Sequence, residues 1–423
     1  MINEMNTEFI LGEVLGHENL NAAYLAVKAN NGAPGVDKMN IERTREHLLQ
    51  HWETIESKLL EGRYKPAAVR AVEIPKPNGG IRTLGIPTVT DRIIQQAILQ
   101  VLTPVFDPGF SECSYGFRPK RSAHDAVRAA REYVKGGKHW VVDIDLKSFF
   151  DQVDHDRLMR FVGRKVRDKR LLKLIGGYLR APMSRKDGSR QARRKGTPQG
   201  GPLSPLLANI YLDPLDVELE KRGLAFVRYA DDIAIFASSE RAAQRILKSV
   251  TEWLKKTLGL EVNREKSGSG PSSQSALLGF RLYEDGRIGI APKAIAKLKE
   301  KVRECWEARQ NRTSGQLRKQ WRQYIGGWWN YFQLADHRWE VTGLSGWIRR
   351  HMRKCFWLRW HGPKGRLKAL KRLGIKGRSL GMAYCGLGAW ALAKHVTIHQ
   401  ALKTRVLNRY GFIIPWDFAE AVN

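Results

Sequence analysis

The chain is poor in cysteine, has no long apolar run, and carries little acid beside its base. Its four cysteines, Cys113, Cys305, Cys355 and Cys385, are scattered with no C-x-x-C pair. That argues against a zinc module or a disulfide framework and fits a reducing, bacterial cytoplasm. No stretch reaches the roughly eighteen uninterrupted apolar residues of a membrane span. The N-terminal MINEMNTEFILGEVLG has acidic residues and no basic n-region, so it does not read as a signal peptide. A basic amphipathic anchor and a lipidation motif are also lacking, so no membrane partner is expected. Internal repeats and low-complexity linkers are absent.

What is abundant is positive charge. Lysine and arginine total 73 against 42 acidic residues, a formal net charge of +31. A charge this large usually answers a polyanion, most often nucleic acid. With 423 residues and 42% apolar content, the chain is long enough for about two to four domains with real cores.

Residues 1–65 read as helical, with Leu20, Ala23, Tyr24 and Val27 on one face, a break at Gly32-Ala33-Pro34-Gly35, and a second helix stopping at Gly62. Residues 70–88, RAVEIPKPNGGIRTLGIPT, have the pattern of a hairpin turning at Asn78-Gly79-Gly80, with Lys76 and Arg82 on its arms. HWVVDIDLKSFFDQV begins as a buried strand from Trp140 to Leu146. A Gly/Pro-rich loop, GTPQGGPLSP, leads into a helix. RYADDIAIF follows as a strand–turn–strand, and then comes an amphipathic helix ended by Gly259. Near residue 292 the composition changes. From 301 onward there are 24 Lys/Arg against 6 Asp/Glu, and ten of the thirteen tryptophans.

Asp231 and Asp232 repel each other in an otherwise apolar hairpin. A divalent cation shared with a third carboxylate would make that pairing tolerable. Hard cations such as Mg²⁺ take oxygen ligands and bind through one or two carboxylates plus substrate phosphates. Asp143 and Asp145 end a buried strand on a common face. One of them could complete a three-carboxylate site for in-line phosphoryl transfer with two metal ions.

Several blocks occur together: EIPKPNGGIRTLGIPTVTDRIIQQAI, YGFRPKRSAHDAV, VVDIDLKSFFDQVDHD, GTPQGGPLSPLLANIYLDPLD, FVRYADDIAIF, GLEVNREKS and LLGF. In content and order they resemble bacterial group II intron reverse transcriptases (maturases), over roughly residues 11–360. No cysteine-paired endonuclease segment is recognisable, so the resemblance is to the compact, endonuclease-free branch. It implies an α+β, right-hand polymerase: fingers, a palm with an antiparallel sheet, and a helical thumb, preceded by a helical N-terminal extension. The expected division is 1–65 for the extension, 66–292 for fingers and palm, 293–365 for the thumb/maturase domain, and 366–423 for a candidate DNA-binding appendage.

The resemblance also assigns roles. Asp145, Asp231 and Asp232 would be catalytic and would hold two Mg²⁺ ions, with Mn²⁺ as a substitute and the Leu146 carbonyl as a further ligand. Asp145 rather than Asp143 is the metal ligand because of its distance from Phe149-Phe150. Phe150 would be the gate against a ribose 2′-hydroxyl. Lys76 and Arg82 would grip the triphosphate, and Gln199 would lie beside the nucleotide sugar. Lys266 would lie near the active site, and Arg118 would reach template or phosphate. Expected partners are an RNA template, a DNA or RNA primer, dNTPs and intron RNA. Expected activity is RNA-directed DNA polymerisation with a role in splicing and mobility. The alternatives are a free-standing relative serving host DNA repair or phage defence, and a non-catalytic RNA-binding maturase. Most tryptophans of GGWWNYF are expected in the core.

Overall fold

The computed structural model describes residues 9–75, 79, 81–336 and 339–417. It divides into two compact units. One comprises the described residues up to Tyr133 together with Gly137–Pro271, and the other Val134–Gly136 with the described residues from Ser272 onward.

The first unit opens with α1 (Ile10–Leu15), α2 (His17–Asn30) and α3 (Ile41–Leu60). Asn40 caps α3 by accepting the Arg43 N–H, and Gly62, with φ +65°, takes the left-handed position beyond its end. Strands β1 (Val69–Pro75) and β2 (Ile81–Ile86) form the expected hairpin, with Ile74 opposite Arg82 and Pro75 opposite Ile81. Its turn residues Asn78 and Gly80, and Lys76, lie outside the described residues. Helix α4 (Val89–Phe106) is capped by the Thr88 hydroxyl and buries Ile93, Ile94, Ala97, Ile98 and Leu102. Each such aliphatic side chain contributes about 1.5–3 kcal/mol of burial. The same core takes Ile10, Leu11 and Val14 of α1 and Leu59 of α3, so the N-terminal helices are not a separate body.

Helix α5 (Ala123–Lys135) leads to β3 (Trp140–Asp145), then to α6 (Phe149–Gln152), α7 (His155–Val162) and α8 (Lys169–Arg180). A short pair, β4 (Met183–Ser184) and β5 (Arg190–Gln191), extends the β1–β2 sheet, because β4 runs parallel to β1. After α9 (Ser204–Lys221) come β6 (Ala225–Tyr229), β7 (Asp232–Ala237), α10 (Glu240–Trp253) and β8 (Gly268–Pro271). The second sheet has the order β6-β7-β3-β8 and is antiparallel throughout. Ser239 caps α10, whose last turn widens over Leu254–Leu258 and closes on Gly259 at φ +67°.

The second unit begins with the β9 (Phe280–Leu282) and β10 (Ile288–Ile290) hairpin. Phe280 stacks within 5.4 Å of Tyr331 and 5.2 Å of Phe332 on α12 (Ser314–Phe332), which follows α11 (Pro292–Cys305). These rings tie the hairpin to the helical part, so the packing divides at 271/272, ahead of the compositional change near 292. Beyond lie α13 (Trp339–Thr342), α14 (Leu344–Arg359), α15 (Gly362–Arg372), α16 (Ala389–Leu392), α17 (Val396–Ala401) and α18 (Thr404–Arg409). The boundary expected at 366 has no counterpart in the packing. Trp357 of α14 shares a core cluster with Leu370, Ile375, Leu392 and Ile398. The Trp321 indole N–H donates to the Ile413 carbonyl at 2.7 Å, and Trp416 is buried against Trp328 and Trp329. Trp306, Trp321, Trp329, Trp357 and Trp416 are all buried, while Trp390 is exposed. These rings are mainly core. No described helix is long and apolar enough to cross a membrane.

Candidate active site

The central antiparallel sheet brings the acidic residues together. In the β3–β7 register Asp145 stands opposite Asp232, and Asp143 opposite Ala234. Directly opposed residues lie about 5 Å apart at Cα. Strand alternation puts Asp143, Asp145 and Asp232 on one face. Asp231 sits in the β6–β7 turn, next to Ala230, whose φ of +58° is left-handed and costs a non-glycine residue about 1 kcal/mol.

A buried network, which the sequence reading missed, holds that turn. The Arg228 guanidinium donates to Asp216 from Nε at 2.7 Å, and to the Asn209 side-chain oxygen at 2.9 Å. It also donates to the Ala230 carbonyl at 3.0 Å. Both Arg228 and Asp216 are fully buried. Asn209 donates in turn to the Gly116 carbonyl at 2.9 Å. A Cβ on Gly116 would lie 2.3 Å from the Ala230 nitrogen, so only glycine permits this approach. The YGFRP segment is stitched alongside β6 by Arg228 N–H to the Cys113 carbonyl and Tyr115 N–H to the Arg228 carbonyl. The one available signal was an arginine inside FVRYA, where an apolar residue would be expected.

The end of β3 is held by the NREKS segment. The Asp145 N–H donates to Ser267 Oγ at 2.8 Å, and the Asn263 N–H donates to the Asp145 carbonyl. Lys147 N–H bonds to the Glu261 carbonyl. Leu146 therefore faces Val262 as a pair bounded by these bonds, and its own carbonyl is not consumed between them.

Carboxylate crowding is evident in the electrostatics. Burial, then the charges of Asp143, Asp231 and Asp145, push Asp232 up to about 7, although the residue reaches solvent at the rim. Burial also raises Asp231, and Asp145 adds to it. Among the described residues no three His, Cys, Asp or Glu side chains already close into a metal cage. The donor set still suits Mg²⁺, which binds through one or two carboxylates and takes its remaining ligands from substrate phosphates and water. Hard oxygen donors that mutually raise one another's pKa are relieved by a divalent cation.

Asp145 and Asp231 open onto a cavity of about 630 Å³, whose lining does not include Asp232. Asp145, Asp231, Leu146, Phe150, Gln199, Arg82 and Lys266 all line it. Both Phe149 and Phe150 border the cavity; Phe149 is buried in the core, whereas Phe150, 5.1 Å away ring to ring, is half-buried and the more accessible of the two. Lys266 Nζ is 3.9 Å from Asp145 Oδ2. The Gln199 carbonyl accepts the Gly85 N–H at 2.9 Å, joining the loop to β2. Lys76 lies outside the described residues.

Arg118 is different and corrects an expectation. It is buried, with Nε bonded to Asp107 Oδ1 at 2.7 Å. Its terminal nitrogens donate to the Ser111, Ser114 and Asp107 carbonyls. Four of its five N–H donors are spent inside the protein, so it braces a loop and does not reach template.

Comparison with known proteins agrees with this architecture. Residues 74–282 match the family described as reverse transcriptase (RNA-dependent DNA polymerase), and residues 295–374 match the group II intron, maturase-specific domain. Protein YkfC of Escherichia coli K12 is 34% identical over 272 residues, covering 55% of this chain and 71% of that protein. The group II intron-encoded protein LtrA of Lactococcus lactis is 38% identical over 205 residues, covering 48% of this chain and 33% of LtrA. A putative COX1/OXI3 intron 2 protein of Saccharomyces cerevisiae is 28% identical over 261 residues, 48% of this chain and 30% of that protein. The chain thus spans most of YkfC but only about a third of the intron-encoded relatives. With its palm sheet, paired aspartates and maturase-specific helices in this order, the chain belongs to the group II intron-type reverse transcriptases and has their right-hand polymerase fold.

Proposed function

We propose that the chain is an RNA-directed DNA polymerase that adds dNTPs to a primer 3′-hydroxyl on an RNA template. The observation that carries this reading is the register that sets Asp145 beside Asp232, with Asp231 in the adjoining turn, on a cavity also lined by Arg82, Phe150 and Gln199.

Asp145, Asp231, Asp232 and the Leu146 carbonyl would hold Mg²⁺, with Mn²⁺ as a substitute. Two such ions stabilise the attacking and leaving oxygens of an in-line displacement. The chain's own residues bind and orient. Arg82 makes bidentate contacts to triphosphate oxygens, a role the family resemblance also assigns to Lys76. Phe150 forms the floor under the sugar and crowds a 2′-hydroxyl. Gln199, fixed by its carbonyl to β2, lies beside the sugar. Lys266 offsets the charge of Asp145 between turnovers. Asp143 lies behind the metal ligands and adds to their field.

The basic composition beyond residue 300 and the maturase-specific match at 295–374 support binding of intron RNA, and with it a role in splicing and mobility. Primer extension on an RNA template with Mg²⁺ tests the reading. Asp231→Ala and Asp145→Asn should abolish extension and leave template–primer affinity within about twofold, because neither side chain contacts the backbone phosphates that dominate affinity. Tight RNA binding by the unmodified chain without dNTP incorporation would refute it.

A further inference from the structure

The loop between β5 and α9 holds an arginine that the polymerase reading leaves without a task. Arg193 lines the same cavity as Asp145, Phe150 and Gln199. Both terminal nitrogens of its guanidinium are buried, and neither has a hydrogen-bond partner among the described residues. Burial holds its pKa below the ordinary arginine value, and the charge of Asp151 offsets this only in part. Buried guanidinium nitrogens that donate to nothing are expensive, so a folded chain retains them where a ligand completes them.

The surroundings identify the ligand's sign. The cavity lining holds seven Lys/Arg, Arg185, Arg194 and Lys195 among them, against four Asp/Glu, so base outnumbers acid there and an anion is attracted. The position is also fixed. Gly196 N–H bonds to the Val153 carbonyl and Thr197 N–H to the Phe150 carbonyl, each at 2.7 Å. His155 Nε2 lies 2.8 Å from the Gly196 carbonyl. Gly196 has φ +84°, and a Cβ there would meet the Phe150 carbonyl oxygen at 2.7 Å. The backbone beside Arg193 is thus clamped to the short helix that presents Phe150.

We propose that Arg193 binds a phosphate group of a nucleotide in this cavity, its planar fork taking two phosphate oxygens. The phosphate belongs either to the incoming triphosphate or to the polynucleotide backbone. Assigning it to a nucleotide rests on the polymerase reading; the anion site itself does not.

The full chain and its Arg193→Gln, Arg193→Lys and Arg194→Gln variants separate the possibilities. Calorimetric titration with inorganic tripolyphosphate should show Arg193→Gln binding about tenfold more weakly, the loss expected for a charge-assisted pair, with Arg193→Lys in between. If the phosphate is the nucleotide's, KM for dNTP rises by a similar factor and by more than kcat falls. If it is the backbone's, template–primer Kd rises at fixed salt and KM does not. Removing an unpaired buried charge should leave the melting temperature unchanged or raise it. The proposal is overturned if tripolyphosphate affinity, KM and Kd all stay at wild-type values, if the only change is a lower melting temperature, or if Arg194→Gln, which removes a neighbouring exposed charge, loses as much as Arg193→Gln. A wild-type chain that extends no primer would defeat the polymerase reading, and the tripolyphosphate titration would still decide the anion site.

Discussion

Replacing Arg228 with methionine is the sharpest perturbation of the catalytic hairpin that touches no metal ligand. Arg228 and Asp216 are both fully buried. Burial pushes the Asp216 carboxyl up, and the guanidinium opposes it. Removing the guanidinium leaves that carboxyl, the Asn209 amide oxygen and the Ala230 carbonyl without their donor. Breaking a buried pair from one side costs about 3–5 kcal/mol. At about 1.4 kcal/mol per decade, amide exchange in peptides covering residues 225–237 should accelerate by about two to three decades. Hydrogen exchange read by mass spectrometry measures this locally. The double variant Arg228→Met/Asp216→Leu removes both charges at similar volume and should recover the part of the loss due to the isolated carboxylate, while the Asn209 and Ala230 oxygens still cost about 1–3 kcal/mol each. Extension should stay low, because the Ala230 carbonyl still lacks its donor and the left-handed turn is unsupported. Wild-type exchange in the single variant, or recovery of extension together with stability in the double one, would refute the reasoning.

Three further expectations follow from the same structure. Phe150→Ala should raise rNTP incorporation relative to dNTP, and an unchanged ratio in competitive extension would remove the ring from that role. Arg118→Ala should lower the melting temperature while leaving template affinity and its steep salt dependence in place; a flatter salt slope would mean that Arg118 does reach phosphate. Asp213 is pushed up to about 6 by burial and then by the charge of Asp216. Its folded value lies above its unfolded one, so stability falls as pH rises through the interval between about 4 and 6. Asp213→Asn should therefore stabilise the chain at pH 7.5, by about 1 kcal/mol after solvent screening at this half-buried carboxyl. The two chains should converge near pH 4 in urea titrations; a benefit that persists there would exclude titration of Asp213 as its cause.

The features legible in the sequence are those written in local pattern. Alternation and turn residues gave the 70–88 and 225–237 hairpins, and the VVDID and YADD stretches marked the strands that the sheet sets side by side. Gly62 and Gly259 ended their helices as their left-handed backbone requires. Arg82 was placed on its hairpin arm by local pattern and does line the cavity. The other arginines were not legible: Arg118 braces a loop, Arg228 pins a turn, and Arg193 buries its terminal nitrogens unpaired among the described residues. These three look alike in a basic chain, because partners such as Asp107 and Asp216 are settled by tertiary packing. The composition changes at 292, between the two family matches, but the packing divides earlier, because Phe280 commits the preceding hairpin to the tyrosine and phenylalanine of α12.

The junction between β2 and the glutamine loop has a mechanical consequence. Gly85 N–H bonds to the Gln199 carbonyl, and a methyl group on Gly200 would strike the Gly85 carbonyl oxygen at 2.8 Å. Two backbones meet there with no side chain as a cushion. On the proposed reading, any displacement of Arg82 relative to Gln199 would have to arise in β2 before Gly85, because the two backbones are bonded there. The residue proposed for the triphosphate and the residue proposed for the sugar are thereby tied to one backbone junction, so a side chain introduced at Gly85 or Gly200 would disturb both.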